Sequence, residues 1–296
     1  MPELPEVETV VRDLNKVLPG LKIRDVWCDF PKMIKCPSFR NFKKELVGRK
    51  ILKVKRRGKN ILIGLSENKT LLIHQKMTGH MLYGKYQKAK SKKRNYGTWT
   101  ATEKGPLKDD PQNRFLHLVI GLSNGRQLAL SDLRKFAKVL VCPTDKLGEL
   151  KDLKDLGPEP LEKSFTFDKF KKALEKKKGK IHQVLMNQKI IAGIGNIYSS
   201  EILWQAGIHP LKEADKLNRE ELSKIYQAIR KILTKALKLG GTSISDFRKP
   251  SGEKGFYAEI RKVYRREGQK CGRCRAIIKR IKLAGRSAHF CPICQR

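Results

Sequence analysis

Apolar residues recur at helical spacing from the start of the chain. Leu4, Val7, Val10, Val11, Leu14 and Leu18 fall on one helical face, with Pro5 tolerated in the first turn and Gly20 suited to the C-terminal cap. Beyond Gly20 the period changes. Residues 22–29 and 51–65 partly alternate and are rich in β-branched types, which predicts strands, and Leu71-Leu72-Ile73-His74 starts another. Two further runs, 116–122 and 127–131, flank Ser123-Asn124-Gly125-Arg126, and Asn-Gly accepts the positive φ angles of a tight turn, so this stretch predicts a β-hairpin. Residues 1–150 thus read as one helix followed by a largely antiparallel β-sandwich. Within them, residues 84–112 are poor in aliphatics and rich in lysine. They are expected to form a basic surface insertion, a solvated loop, with an arm lying on nucleic-acid phosphates as the alternative.

Around Leu156-Gly157-Pro158-Glu159-Pro160 the pattern turns helical, which places a linker at 151–162. Phe167, Phe170 and Leu174 form one short stripe. Ile181, Val184 and Leu185 form a second, and Ile197, Ile202, Leu203 and Ala206 a third that Gly207 closes. From Asn218, an N-cap with Glu221 three residues on, Leu222, Ile225, Ile229, Ile232 and Leu233 run on toward Gly240-Gly241. No internal repeat is present. Residues 163–265 are therefore expected to be a helical domain and 266–296 a separate cysteine-bearing module.

Charge narrows the class of partner. The chain carries 66 Lys and Arg against 29 Asp and Glu, a formal net charge of +37 over 296 residues, and such a field self-repels unless the partner is a polyanion. Nucleic acid is the natural candidate and an anionic membrane surface its competitor. No run approaches the length of a membrane span and the first residues are acidic, so neither a transmembrane helix nor a signal peptide is expected. Seven cysteines, four of them paired in the last 26 residues, point to a metal site in a reducing compartment rather than a disulfide framework.

Those four form Cys271-x2-Cys274-x16-Cys291-x2-Cys294, the spacing of a zinc ribbon, with an iron centre or a disulfide as the alternatives. Four thiolates close the coordination shell and leave no position for substrate, so the ion is expected to be structural. Cys28, Cys36 and Cys142 lack pair spacing and read as structural residues. Gly193-Ile194-Gly195-Asn196 suits a turn before a helix N-terminus, where free N–H groups and the Asn196 side chain can meet a phosphate; an ordinary Asn-capped turn is the alternative. Lys59, His74 with Met77, and Arg134 with Phe136 sit at strand ends or turns. Together they offer phosphate donors and apolar wedges, the equipment for pulling a nucleotide out of a duplex. The first residues, Met1-Pro2-Glu3-Leu4-Pro5-Glu6, admit a nucleophile. Once Met1 is removed, Pro2 is a secondary amine with a reference pKa of about 7.7–8.0, able to attack a sugar C1′ carbon. Its adduct is an iminium, an electron sink for eliminating a neighbouring phosphate. An ordinary capped helix with acidic residues in its first turn is the alternative.

Pro2-Glu3-Leu4-Pro5-Glu6-Val7-Glu8-Thr9, Lys59, His74-x2-Met77-Thr78-Gly79, Gly193-Ile194-Gly195-Asn196-Ile197-Tyr198-x2-Glu201, Ala206-Gly207-Ile208-His209-Pro210 and the cysteine ribbon, in this order, resemble the formamidopyrimidine-DNA glycosylase / endonuclease VIII family. The resemblance spans the chain apart from 84–112. It implies an α+β fold: an N-terminal helix with an antiparallel β-sandwich, and a C-terminal helix-two-turn-helix domain ending in a β-hairpin zinc ribbon. Damaged double-stranded DNA would bind in the cleft between the two. The implied protein is a cytoplasmic monomer, working on the nucleoid without a membrane and holding one structural zinc ion. Its activity would be that of a bifunctional base-excision repair enzyme, a glycosylase and abasic-site lyase acting through a Schiff base on Pro2 with β,δ-elimination.

By the same resemblance, Glu3 is the acid/base carboxylate and Glu6 a supporting acid. Lys59 is the phosphate contact and proton donor, His74 and Asn196 are further phosphate contacts, and Arg286 clamps phosphates for the eliminations. Met77, Arg134 and Phe136 look like the residues that fill the void left by the flipped nucleotide. That triad, with Asn196-Ile197-Tyr198, favours oxidised purines (8-oxoguanine and formamidopyrimidines). Residues 250–257 sit where that branch has its base-recognition loop, to which Lys254 adds a cationic donor. Gln75-Lys76 before Met77, Ala137 after Phe136 and the basic insertion depart from the family pattern. An endonuclease VIII-like enzyme for oxidised pyrimidines, a non-catalytic zinc-ribbon protein and a ribonucleoprotein component are the competing readings.

Overall fold

The computed structural model describes residues 1–88 and 99–296, which fall into two compact units. The first combines Met1–Lys154 with a returning segment, Leu239–Phe256. Its elements are α1 (Leu4–Val17), β1 (Ile23–Cys28), β2 (Ile34–Cys36), α2 (Phe39–Leu46), β3 (Ile51–Arg57), β4 (Asn60–Leu65), β5 (Lys69–His74), β6 (His80–Gly84), β7 (Tyr86–Lys88), β8 (Trp99–Ala101), α3 (Pro106–Asp109), β9 (Leu116–Leu122), β10 (Gln127–Ser131) and β11 (Lys138–Pro143). One sheet runs β1-β9-β10-β6 and is antiparallel. The other runs β2-β11-β5-β4-β3, antiparallel except where β11 lies parallel to β2. Inward-facing residues of both sheets meet Val7, Val10, Val11, Leu14 and Leu18 of α1 in a single core, joined by Phe247 of the returning segment.

The helical stripe read from the sequence is the buried face of α1, and the Asn124-Gly125 turn joins β9 to β10. Residues 51–65 fold back on themselves at Gly58-Lys59 to give β3 and β4. The cap of α1 falls on Leu18, while Gly20, with φ +91°, turns the chain afterwards.

The insertion at 84–112 is only partly as expected. Its residues 89–98 lie outside the described residues. On either side of them, β7 pairs with β8, and Tyr86, Trp99, Ala101 and Leu107 cluster with Leu82, Leu116, Val119, Ala129 and Trp27. The stretch 99–112 is thus structured rather than solvated, because its few apolar residues all point to one side. Residues 239–256, within the 163–265 span read from sequence as helical, pack into this first unit. Gly240 and Gly241, both at positive φ, break the helix and let the chain turn back.

The second unit holds Asp155–Lys238 and Tyr257–Arg296, with α4 (Phe167–Leu174), α5 (Ile181–Met186), α6 (Asn196–Ala206), α7 (Arg219–Lys238), α8 (Tyr257–Ile260), β12 (Lys279–Leu283) and β13 (Arg286–Phe290). Gly207 ends α6 in the left-handed region at φ +76°. Asn218 accepts the N–H of Glu221, whose carboxylate accepts the N–H of Asn218, the reciprocal cap that the sequence predicts for α7. β12 and β13 form an antiparallel hairpin, whose Ala284-Gly285 turn has both φ angles positive. No helix among the described residues is long and apolar enough to cross a membrane.

Candidate active site and metal centre

The residues before α1 are held by a reciprocal cap, in which the Glu3 side chain accepts the backbone N–H of Glu6 and the Glu6 side chain reaches back. Glu6 Oε2 accepts the backbone N–H of Glu3 at 2.8 Å, and Glu6 Oε1 accepts that of Thr242 at 2.7 Å. The first contact closes the helix start, and the second ties it to the returning segment. Gly241 makes the approach possible, since a Cβ there would lie 2.9 Å from Glu6 Oε1. Pro2, Glu3 and Glu6 are all buried. Burial also pushes the ammonium of Met1 below its ordinary pKa, and Lys59 acts in the same direction, while Glu3, Glu6 and Asp246 pull it back up. Asp246 rides on the returning segment, and no motif in the sequence pointed to it. Lys59, also buried, sits in the β3–β4 turn. Arg56 holds that turn by donating to Gly58 O at 2.9 Å and to Glu8 Oε2 at 2.9 Å.

His74 ends β5. Its Nδ1 accepts the N–H of Lys76 at 3.0 Å, which leaves the proton of the neutral ring on Nε2 as a donor. Burial, with Lys76 and Lys59 adding to it, depresses the ring's pKa to about 3, so His74 is a neutral donor at physiological pH and not a cation. Met77 follows in a tight turn closed by Gly79 N–H to Gln75 O at 3.1 Å and is 41% exposed. Arg134 lies over the Phe136 ring at 4.7 Å, and Phe136 is 53% exposed. The Met77 turn and the Arg134–Phe136 turn are joined by residues the sequence reading missed. Thr78 donates to the buried Asp132, Asp132 Oδ2 accepts the N–H of Ala137 at 2.7 Å, and Thr78 Oγ1 accepts that of Arg134 at 3.1 Å. Met77 and the Arg134–Phe136 pair are thereby held by one short hydrogen-bonded path. Lys254 is exposed, just past a turn in which Gly252 N–H donates to Lys249 O at 2.8 Å.

In the second unit, Asn196 is the first residue of α6. Its Nδ2 donates to Ser287 O on β13 at 3.1 Å, so its side-chain donor is engaged with the hairpin. The preceding glycine turn is stapled by Gln188, whose amide donates to Ile194 O at 2.7 Å and accepts the N–H of Gly193 at 2.8 Å. Arg286 is exposed at the start of β13, directly after the turn and beside Ser287.

The four sequence-predicted cysteines converge. Their Sγ atoms lie within 4.8 Å of one another, with Cys271–Cys294 at 3.9 Å and Cys274–Cys291 at 3.4 Å. Thiolates around zinc at about 2.3 Å stand about 3.8 Å apart, so this cluster fits one structural zinc ion. The ribbon is fastened to α6. Arg273 stacks on Trp204 at 3.7 Å and donates to Trp204 O at 2.8 Å, while Gln295 donates to Ile208 O at 2.9 Å.

The chain matches known proteins along its whole length. Residues 1–139 match the formamidopyrimidine-DNA glycosylase N-terminal domain, 156–248 the H2TH domain of the same enzymes, and 268–296 the zinc finger found in FPG and IleRS. It is 43% identical to the formamidopyrimidine-DNA glycosylase of Pelotomaculum thermopropionicum, over 100% of this chain and 99% of that one. With the Streptococcus pneumoniae enzyme of that name it shares 36% identity, again over 100% and 99%. Among solved structures it is similar to wild-type Lactococcus lactis Fpg in complex with N7-benzyl-Fapy-dG DNA, at 36% identity, full coverage of both chains and a TM-score of 0.84. A complex of MutM with carbocyclic 8-oxo-G DNA gives the same values. The N-terminal unit, the helical unit and the zinc-binding ribbon together make this chain a member of the formamidopyrimidine-DNA glycosylase family.

Proposed function

We propose that this DNA glycosylase of base-excision repair removes oxidised purines from double-stranded DNA through the amine of Pro2, exposed when Met1 is removed. The observation that carries the reading is the buried amino-terminal turn. Glu6 pins it and Pro2 lies buried within it; burial lowers the pKa of the Met1 ammonium at this end, and the same surroundings would favour the neutral, nucleophilic form of the Pro2 amine once Met1 is gone. The amine attacks C1′, the glycosidic bond breaks and the base leaves with its bonding pair, protonated. Glu3, buried beside the amine, protonates the opening sugar ring and then shuttles protons. Loss of a C2′ proton expels the 3′ phosphate and a second elimination expels the 5′ phosphate. Water then hydrolyses the iminium and frees Pro2.

In this reading Lys59, neutral His74, Asn196 and Arg286 hold phosphates, Arg286 through the eliminations. Met77, Arg134 and Phe136 fill the vacated stack, and residues 250–257 with Lys254 read the flipped base. Zinc crosslinks the ribbon through Cys271, Cys274, Cys291 and Cys294 and takes no part in the chemistry. The protein works as a cytoplasmic monomer. Preference for purines over pyrimidines rests on the exposed Met77 and the stacked Arg134–Phe136 pair, because an Arg fork donates to the acceptors of an orphaned cytosine.

Borohydride trapping with an 8-oxoguanine:cytosine duplex tests the reading. A covalent complex mapping to Pro2, and lost when Met1 is retained, is expected; a complex mapping to a lysine overturns it. A thymine-glycol duplex run beside it distinguishes the pyrimidine-directed alternative.

A further inference from the structure

A buried polar network in the first unit takes no part in the chemistry above. Arg248, 4% exposed, makes a two-point ion pair with Asp110: Nε to Oδ2 at 2.6 Å and Nη2 to Oδ1 at 3.2 Å. Its Nη1 donates to the carbonyls of Ser245 and Phe247 at 2.9 and 2.8 Å. Three residues beyond Asp110, Asn113 is 2% exposed. Its Nδ2 donates to Pro106 O at 2.7 Å and to Gly252 O at 3.2 Å, and its Oδ1 accepts from His80 Nε2 at 3.0 Å. On its other side the His80 ring lies 3.3 Å from Thr78 O, and Thr78 donates to Asp132, the residue that ties the Met77 turn to the Arg134–Phe136 loop. Packing follows the same line. A Cβ on Gly252 would lie 2.7 Å from Leu107 N, and Tyr83 N–H donates to Pro250 O at 2.8 Å.

This arrangement is costly for a surface loop. A buried ion pair contributes little net stability, yet buried hydrogen bonds of defined geometry favour a single arrangement of the segments that they join. Arg248 and His80 adjoin Phe247 and Met81 of the apolar core shared by the two sheets and α1. What Arg248, Asp110, Asn113 and His80 join are three surface elements: the 249–256 loop, the Met77 turn and the Arg134–Phe136 loop. We infer that Asp110, near the end of the insertion, and Asn113, just beyond it, are positioning residues for lesion specificity, which hold the 249–256 loop in register with the wedge-bearing turns through Arg248, Gly252 and His80. The inference rests on the proposed roles of that loop and those wedges. Registration matters for excising a base, which must be read while its place in the stack is filled. It matters far less for cutting an abasic site, which has no base to read.

The test compares two reactions of the full-length, zinc-loaded protein: excision of 8-oxoguanine opposite cytosine, and cleavage of a preformed abasic site. Asp110→Asn and Asn113→Ala are expected to lower kcat/KM for excision about tenfold and to leave abasic-site cleavage within about twofold, with Asp110→Glu restoring part of the loss. Because Asp110→Asn strands the charge of Arg248, a further variant is measured, Asp110→Asn with Arg248→Gln, which removes both charges. It is expected to show the same split between the reactions. Equal falls in both reactions, or none in either, overturn the inference and leave the proposed function standing. A wild-type protein that cleaves abasic sites but excises no oxidised purine overturns both.

Discussion

Glu6 in the first unit and Glu201 in the second are buried carboxylates on helices, and each accepts backbone N–H groups from a segment far along the chain. Glu201 spends both oxygens on one loop, accepting from Lys262 at 2.8 Å and from Val263 and Tyr264 at 2.9 Å each. Glu6 divides its oxygens between its own helix start and Thr242. The loop held by Glu201 leads into the zinc ribbon, whereas Glu6 holds the amino terminus. The same device therefore serves architecture in one unit and the proposed nucleophile in the other. Burial and hydrogen bonding alone do not distinguish a structural carboxylate from a functional one; the group at the far end of the bond does.

The sharpest contrast comes from zinc. Stripping the ion with a chelator removes a term worth about 10–16 kcal/mol in isolated zinc-finger peptides, and amide exchange is expected to lose protection across β12 and β13 while β3–β5 keeps it. Next is Glu201→Ala, which leaves one buried and two part-buried N–H groups without their acceptor, at about 1–3 kcal/mol for the buried one; a large drop in Tm is expected by calorimetry. Glu6→Gln retains shape and one acceptor, so a loss of only about 1 kcal/mol is expected, while single-turnover base excision falls about a hundredfold because the amino terminus shifts. If the Glu201 variant proves stable, or the Glu6 variant loses stability and activity in proportion, the division of roles fails.

The remaining effect is one of pH. His80 in the first unit and His182 in the second are buried, and burial lowers each pKa from 6.5 to about 4. Below pH 6.5 the unfolded chain binds protons that the folded chain refuses, so the stability these rings confer is full above pH 6.5 and declines as pH falls toward 4. The contribution is of order 3 kcal/mol per ring at its limit. Urea titrations at pH 7 and pH 5 are expected to show a higher midpoint at pH 7, with replacement of either histidine by Asn shrinking the difference.

The parts of the fold written in short-range pattern were readable from the sequence. The α1 stripe, the Asn124-Gly125 hairpin, the Asn218–Glu221 cap and the four-cysteine cluster each need only a few neighbouring residues and a known period. The returning segment was not readable, nor was the parallel pairing of β2 with β11. Arg248 and Asp110 stand 138 positions apart, and in the sequence each is one more charged residue among many. The site divides the same way. Pro2, Glu3 and Glu6 drew notice through an acidic start to a helix, but Asp132, Gln188 and Asp246 act through fold-dependent contacts that no periodicity or spacing records.

The bond between Glu6 and Thr242 also sets an order of events during synthesis. Its donor stands 236 positions after its acceptor, so the start of α1 lacks this tether until the returning segment has been made, on the order of 10–50 s at ordinary elongation rates. The first turn of α1 is therefore fastened to the rest of its unit only after the Gly240-Gly241 turn has emerged, and the contact that closes the helix start on itself can form long before the one that ties it to the returning segment.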